Sequence, residues 1–203
     1  MHIAIIATEA QKEILLLKPI PALTQISWVN KFTTILADAY VCLLLDENVF
    51  TINSISNKPI LVHSLTTLSK ELPNNCIRIN AWNTFLEKDT IEMSFDTSMN
   101  EVVKQIASAL GWKYIACADT YGLMGARIIS MIINEAYFAL SENISTQKEI
   151  DLAMRLGTNY PYGPFEWGQK IGLQYVANLL IKMSTENSIY IPSKALIAAA
   201  NQS

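Results

Sequence analysis

Short runs of apolar residues, separated by helix-sized segments, occupy the first 118 positions of the chain. The runs lie at residues 2–7, 25–30, 40–45, 59–64, 76–82, 90–94 and 114–118. Most of them are apolar at consecutive positions, a pattern typical of strands that are covered on both faces. Buried strands that alternate with helical segments predict a parallel or mixed α/β sheet.

Turn and capping signals mark two helices within this region. Residues 9–18 are rich in helix formers, and Pro19 ends that segment because its ring cannot continue a helix. Ser98 and Glu101 form the pattern of a capping box, and Gly111 is placed to end the helix that the box would open.

After the last predicted strand, the periodicity becomes helical. Residues 126–141 are apolar around nearly the whole circumference, so this helix is predicted to be buried on most sides, with the help of a subunit interface. Thr146 and Glu149 form a second capping-box pattern, and Gly157 is predicted to end that helix. Residues 171–183 predict a further amphipathic helix.

Composition narrows the classes of partner. The formal net charge is −3, without a run of lysine or arginine, so nucleic acid and acidic membrane surfaces are not expected partners. No apolar run reaches the roughly 18 residues of a membrane span, and the first ten residues lack the basic region of a signal peptide. The three cysteines are scattered, which predicts neither a disulfide framework nor a metal site and favours a cytoplasmic location.

Five motifs follow one another in the second half of the chain. They are DTYGLMGAR from Asp119, NEA from Asn134, EIDLAM from Glu149, YPYGPFE from Tyr160 and IGL from Ile171. In this order and spacing they resemble the C-terminal domain of the 3-hydroxyacyl-CoA dehydrogenases. The resemblance implies a reduced Rossmann-like domain at residues 1–118, an all-α domain at residues 119–203, and a homodimer formed through the helical domain.

The resemblance extends into the predicted sheet. The family carries a His-Phe-Phe-Asn-Pro segment with a glutamate twelve positions after its histidine, and here Asn80-Ala-Trp-Asn83-Thr is followed by Glu92 at the same distance. The resemblance implies that the histidine exchanges a proton with the 3-hydroxyl group and that the glutamate orients it. Asn80 can hydrogen-bond a hydroxyl or carbonyl group, but an amide cannot serve as a base.

The family resemblance also implies NAD, bound at a Gly-x-Gly-x-x-Gly turn after the first strand. Residues 8–13 contain no glycine, and all seven glycines of the chain lie at or after Gly111. Carboxylate side chains in residues 8–13 also lie where the family's turn would bind the phosphates of NAD. On the substrate side, Ser64 is the counterpart of an active-site serine, Asn83 lies in the Asn80 segment, and Ala126 replaces an asparagine that precedes the family's arginine.

Three hypotheses follow. The chain acts on, or binds, a 3-hydroxyacyl-CoA-like ligand, with NAD held unconventionally; it is a non-catalytic binding or assembly protein; or it is a different small-molecule enzyme that uses Glu92 as a base. These residues also have a purely structural interpretation. In that case, Glu92 is a surface carboxylate, and Asn80 and Asn83 are turn residues. His63 is interpreted as a satisfied buried histidine rather than a substitute base.

Overall fold

The computed structural model describes residues 1–31, 35–44 and 58–202. The chain divides into two compact units, Met1–Leu123 and Met124–Ser203. The first unit contains the sheet and the second is helical.

Seven strands form one sheet in the first unit. They are β1 (His2–Ile6), β2 (Gln25–Trp28), β3 (Ala39–Cys42), β4 (Ile60–His63), β5 (Cys76–Ile79), β6 (Thr90–Ser94) and β7 (Lys113–Ala116). Their order is β2-β1-β3-β4-β5-β6-β7. All neighbouring pairs are parallel except β5 and β6, which are antiparallel. The predicted α/β class is confirmed; one predicted strand residue, Leu45, lies outside the described residues.

The described residues of the sheet unit form three α-helices, namely α1 (Glu9–Leu16), α2 (Asn83–Leu86) and α3 (Asn100–Ala109). The prediction that Ser98 caps α3 is wrong. Asp96 caps a short 3₁₀ turn, Thr97–Met99, by accepting from the Ser98 amide, and α3 begins after that turn. Gly111 follows the end of α3 with a φ of 67°, as expected for a residue after a helix terminus.

The sheet buries apolar side chains on both faces, because successive residues of a strand point to opposite sides. Ile3, Ile5 and Val41 pack on one face together with residues of α3, while Ala4 and Tyr40 pack on the other. This alternation explains why the strands read as nearly continuous apolar runs in the sequence.

Five helices form the second unit: α4 (Gly125–Ser141), α5 (Gln147–Thr158), α6 (Pro164–Ile171), α7 (Leu173–Ser184) and α8 (Lys194–Ala200). The predicted capping box of α5 is confirmed, since Thr146 and Glu149 exchange side-chain and backbone hydrogen bonds. No helix among the described residues combines the length and apolar content needed to cross a bilayer.

The end of α5 differs from the prediction. Gly157 lies inside the helix, which continues to Thr158, and Asn159 is in the left-handed region with a φ of 56°. Asparagine adopts this conformation more readily than other side chains, so it can replace glycine after a helix terminus.

The predicted helix at residues 171–183 corresponds to α7, which begins two residues later than predicted. Gly172 has a φ of 100° and separates α6 from α7. The first of these begins at Pro164, where a missing amide hydrogen costs nothing because the first turn has no helical partner for it.

Helix α4 is less buried than its composition predicts. Ile128 is 51% exposed and Phe138 is 38% exposed, although Ala126, Ile133 and Tyr137 are buried. Within a single chain, one side of this apolar helix therefore faces solvent.

Candidate functional site

Asn80 and Glu92 contact one another where the antiparallel strands β5 and β6 meet. The backbone amide of Asn80 donates to the carbonyl oxygen of Glu92 at 3.2 Å. Its side-chain Nδ2 donates to Oε2 of Glu92 at 3.4 Å, and its Oδ1 accepts from the Trp82 amide at 3.3 Å. These partners fix the orientation of the side-chain amide, because Trp82 supplies a donor and Glu92 an acceptor.

The pair combines a hydrogen-bond donor with a carboxylate. The second Nδ2 hydrogen of Asn80 has no partner among the described residues. Glu92 is partly buried, and its charge is felt by Cys117: burial, followed by the Glu92 charge, raises the pKa of that thiol. The site can therefore donate a hydrogen bond to a ligand oxygen and accept a proton, but Asn80 itself cannot accept one.

Ser64 is fully buried at the end of β4, next to this pair. Its amide donates to the carbonyl oxygen of Ile79 at 3.3 Å, one residue before Asn80. Its hydroxyl donates to the carbonyl oxygen of Thr67 at 3.1 Å. The hydroxyl hydrogen is thus used within the loop that follows β4.

The remaining predicted substrate residues are placed differently. Asn83 is exposed at the start of α2, and its carbonyl oxygen accepts the Glu87 amide at 3.2 Å. Ala126 is fully buried in the first turn of α4 and carries no hydrogen-bonding side chain. Ala126 also belongs to the helical unit, whereas Asn80, Glu92, Ser64 and Asn83 all belong to the sheet unit.

His63 is a buried structural acceptor. Its Nδ1 accepts the Ala81 amide at 2.9 Å, so in the neutral ring the proton lies on Nε2. The ring is 1% exposed and helps to hold the backbone that carries Asn80. This hydrogen bond commits Nδ1 to the protein backbone.

Sequence reasoning missed a buried ion pair next to the site. Arg78 of β5 is fully buried and pairs with Asp119. Its Nη2 also donates to the carbonyl oxygens of Ser64 and Thr120, both at 3.1 Å. An arginine within an apolar strand run was the available signal, since a buried guanidinium needs charged and polar partners.

Asp119 accepts hydrogen bonds from two residues. The backbone amide and hydroxyl of Ser69 donate to it at 3.1 and 2.8 Å, and Arg78 donates to it as well. Burial alone would raise the pKa of Asp119, but the hydrogen bonds from Ser69 and Arg78 outweigh burial and hold that pKa below its usual value. The cluster connects the loop after β4 to the segment that follows β7.

The turn between β1 and α1 is closed by its own side chains. Thr8 and Gln11 form a capping box in which the backbone amide of Gln11 donates to the Thr8 hydroxyl oxygen at 3.2 Å. Gln11 is 6% exposed and its Nε2 donates to the carbonyl oxygen of Leu43, after β3, at 2.9 Å. This side chain spans the crevice between β1 and β3, where the strand order reverses and Rossmann-like folds place a diphosphate.

Charge at the same turn is also unfavourable for an anion. Glu9 lies in the first turn of α1, with its side chain 87% exposed and 3.8 Å from Lys12. A carboxylate in the first turn already complements the helix dipole. The residues present therefore do not fit a dinucleotide diphosphate.

The motifs of the helical unit have a packing explanation. Asp151 of α5 accepts the amides of Phe165 and Glu166 at 2.8 and 3.1 Å, which caps the beginning of α6. A β-carbon at Gly163 would collide with the Asp151 side chain. Two motifs that are separated in sequence thus form one capping unit.

Among the described residues, no group of three histidine, cysteine, aspartate or glutamate side chains could hold a metal ion. Cys42, Cys76 and Cys117 are free thiols.

Comparison with known proteins identifies relatives of both units. The family model described as 3-hydroxyacyl-CoA dehydrogenase, C-terminal domain, matches residues 122–199. The chain is 46% identical over 70 residues to a 3-hydroxyadipyl-CoA dehydrogenase of Escherichia coli strain K12, covering 34% of the chain and 15% of that protein. It is 31% identical over 99 residues to the mitochondrial hydroxyacyl-coenzyme A dehydrogenase of Homo sapiens, covering 47% of the chain and 32% of the relative.

The fold resembles that of solved dehydrogenase structures. The (S)-3-hydroxybutyryl-CoA dehydrogenase of Ralstonia eutropha has a TM-score of 0.74 at 17% identity, covering 98% of this chain and 93% of the other. The sequence matches with the two curated relatives take in at most about a third of their length, as their coverage of 15% and 32% shows.

Proposed function

We propose that the chain is a divergent member of the 3-hydroxyacyl-CoA dehydrogenase family that binds an acyl-CoA-type ligand without transferring a hydride. The observation that carries the proposal is the Asn80–Glu92 pair. It keeps hydrogen-bonding groups at the family's catalytic positions and lacks the imidazole that would exchange a proton with a 3-hydroxyl group.

The missing imidazole supports the loss of alcohol oxidation. Oxidation of a 3-hydroxyl group requires a base for the hydroxyl proton as the hydride leaves, and the family resemblance assigns that proton to position 80 and only the orienting role to the glutamate at position 92. Histidine titrates near pH 6.5 and suits that task, whereas the amide of Asn80 does not titrate in this range. His63 does not replace it through Nδ1, because the Ala81 amide occupies that atom.

The β1–α1 turn supports the loss of NAD binding. The family resemblance implies NAD as electron carrier, and a diphosphate would need to approach the backbone where Glu9 and the buried Gln11 side chain lie. A carboxylate close to a diphosphate is repelled, and removing Gln11 from the crevice would break its hydrogen bond to Leu43.

The retained polar groups support ligand binding. Asn80 offers one amide hydrogen for a carbonyl or hydroxyl oxygen, and Glu92 can accept from a hydroxyl group. The names of the relatives, which are dehydrogenases of 3-hydroxyacyl-CoA compounds, indicate the ligand class and also favour the competing function, oxidation of such a compound with NAD.

A second copy of the chain is the proposed partner. Ile128 and Phe138 lie on the solvent-facing side of α4, together with the partly buried Met131 and Ile132. Covering these residues would remove apolar surface from water, which stabilises association. We expect a homodimer in light scattering, and we expect Ile128→Glu to produce monomers; a wild-type monomer at micromolar concentration would contradict this proposal.

The free thiols of Cys42, Cys76 and Cys117 support a reducing compartment such as the cytoplasm. Oxidising compartments favour disulfides, whereas reducing ones keep cysteines as thiols.

Titration calorimetry tests the proposed function. Acetoacetyl-CoA should bind to the protein in the absence of a dinucleotide, with Asn80→Ala weakening the affinity about tenfold, the effect of losing roughly one hydrogen bond. NADH should produce no binding heat under the same conditions. Absence of acetoacetyl-CoA binding, or NADH binding at micromolar affinity, would contradict the proposal.

A further inference from the structure

We propose that the Asn80–Glu92 pair catalyses removal and return of the C2 proton of a bound 3-oxoacyl thioester. This activity rests on the proposed function, because it requires that the acyl-CoA-type ligand binds beside the pair. It uses the polar groups of this pair and needs no electron carrier.

The geometry supplies one donor and one acceptor side by side where β5 and β6 pair. Asn80 is 1% exposed, and its side-chain amide is held between Glu92 and the Trp82 amide, so its second hydrogen points in a fixed direction. A donor held in place by the fold stabilises a developing negative charge better than mobile water does. An amide is suited to this role because it donates a hydrogen bond without giving up its proton.

Glu92 is the proton acceptor. Its Oε2 is 3.4 Å from Nδ2 of Asn80, so one ligand could contact both groups, with its carbonyl oxygen on the amide and its C2 hydrogen facing the carboxylate. Protons next to two carbonyl groups are acidic enough for a carboxylate to remove when the enolate oxygen is stabilised.

The step balances within the ligand and the pair. The C2–H bond breaks, its proton forms an O–H bond with Glu92, and its electron pair forms a double bond between C2 and C3. The π pair of the C3 carbonyl group moves onto its oxygen, and this enolate oxygen accepts the Asn80 hydrogen bond. Reversal returns a proton from Glu92 to C2. In heavy water the carboxylic acid exchanges with solvent, so return delivers deuterium, and nothing is oxidised or reduced.

Two neighbouring groups are not required by this step. Burial and the Glu92 charge raise the pKa of Cys117, which keeps that thiol protonated and unreactive as a nucleophile. The Ser64 hydroxyl donates to the Thr67 carbonyl oxygen and is therefore already committed.

Proton NMR of acetoacetyl-CoA in heavy water tests the activity. At a mildly acidic pD, where uncatalysed exchange is slow, the wild-type protein without NADH should accelerate loss of the C2 proton signal. Glu92→Gln should reduce the protein-dependent rate at least about 100-fold, because it removes the base. Asn80→Ala should reduce the rate per bound ligand about 100-fold, because it removes a fixed donor to the enolate.

Glu101→Gln is the matched control. Glu101 is an exposed carboxylate of the same unit and pairs with Lys104 at the surface, so its loss should leave the exchange rate unchanged. Calorimetry on each variant separates lost binding from lost chemistry. If Glu92→Gln does not fold, Glu92→Asp replaces it and should exchange about tenfold more slowly, because the shortened carboxylate is misplaced.

The outcomes separate the two proposals. If acetoacetyl-CoA does not bind, the proposed function fails and this inference fails with it. If acetoacetyl-CoA binds but exchanges at the uncatalysed rate, the inference alone is wrong. A Glu92 variant that exchanges as fast as the wild type would also overturn the inference.

Discussion

The two units of this chain have diverged in different ways. Residues 122–199, which include nearly all of the helical unit, match the family's C-terminal domain, and the capping contact of Asp151 with the amides that follow Gly163 gives two of its separated motifs a common packing role. The sheet unit has seven strands in a dehydrogenase-like fold, yet its sequence has Asn80 and a turn without glycine at residues 8–13 where the family resemblance implies a histidine and a glycine-rich turn. The resemblance is therefore stronger where the motifs serve packing than where the family resemblance implies chemistry.

The largest expected effect concerns a contact outside the family motifs. Arg78→Met should lower the free energy of unfolding by about 3 kcal/mol, because it leaves the partly buried Asp119 without its cationic partner and two carbonyl oxygens without their Arg78 donor. Urea denaturation measures the change. Arg155→Met is the control in the helical unit: the Arg155 side chain is 48% exposed, whereas that of Arg78 is fully buried, and Arg155 lies 3.8 Å from Glu166, so less than about 1 kcal/mol should be lost. Equal effects of the two variants would contradict the burial argument.

A smaller effect is expected from the capping unit of the helical domain. Asp151→Ala should cost about 1 to 2 kcal/mol, because two amides at the beginning of α6 lose their acceptor. Urea denaturation followed by tryptophan fluorescence would report the change, since Trp167 lies in α6. An unchanged midpoint would mean that the motif pair is retained for some reason other than capping.

The ion pair in the sheet unit also predicts a dependence on pH. The pKa of Asp119 is lower in the folded than in the unfolded chain, where it is about 3.9, so its contribution to stability is complete above about pH 4. This contribution is lost as the pH falls through the lowered pKa. Asp119→Asn should flatten the decline in unfolding free energy below about pH 4, and an acid decline as steep as that of the wild type would contradict the assignment.

The sequence predicted the elements of both units better than their terminations. Thr146 and Glu149 predicted a capping box correctly because that motif is local in sequence. The end of α5 at Asn159, rather than at Gly157, depends on a left-handed residue that asparagine can also supply. The prediction that Ser98 caps α3 is wrong because the side chain of Asp96 accepts the backbone amide of Ser98. This contact begins a 3₁₀ turn before α3.

The site was predicted only in part, because sequence spacing reveals local pairs but not contacts between distant positions. The twelve-residue spacing of Asn80 and Glu92 indicated a pair, and the antiparallel pairing of β5 and β6 brings the two side chains together. The partners of Arg78 and Gln11 could not be inferred from spacing. Asp119 is 41 residues away from Arg78 and Leu43 is 32 residues away from Gln11, and tertiary structure alone brings such positions into contact.

The smallest expected effect is a null result. Asn80→His restores an imidazole beside Glu92 but leaves Thr8, Gln11 and Glu9 at the nucleotide turn. We therefore expect no NAD-dependent oxidation of 3-hydroxybutyryl-CoA by this variant, measured as absorbance of NADH. Measurable turnover would mean that the turn accommodates a dinucleotide despite its side chains.

The central claim is that the wild-type chain binds an acyl-CoA-type ligand but does not transfer a hydride. The most direct measurement is the oxidation of NADH by acetoacetyl-CoA, followed by absorbance with both compounds in excess over the protein. The account predicts a rate equal to that without protein. Turnover at about 1 s⁻¹ or faster, within the ordinary range of enzymes, would contradict it.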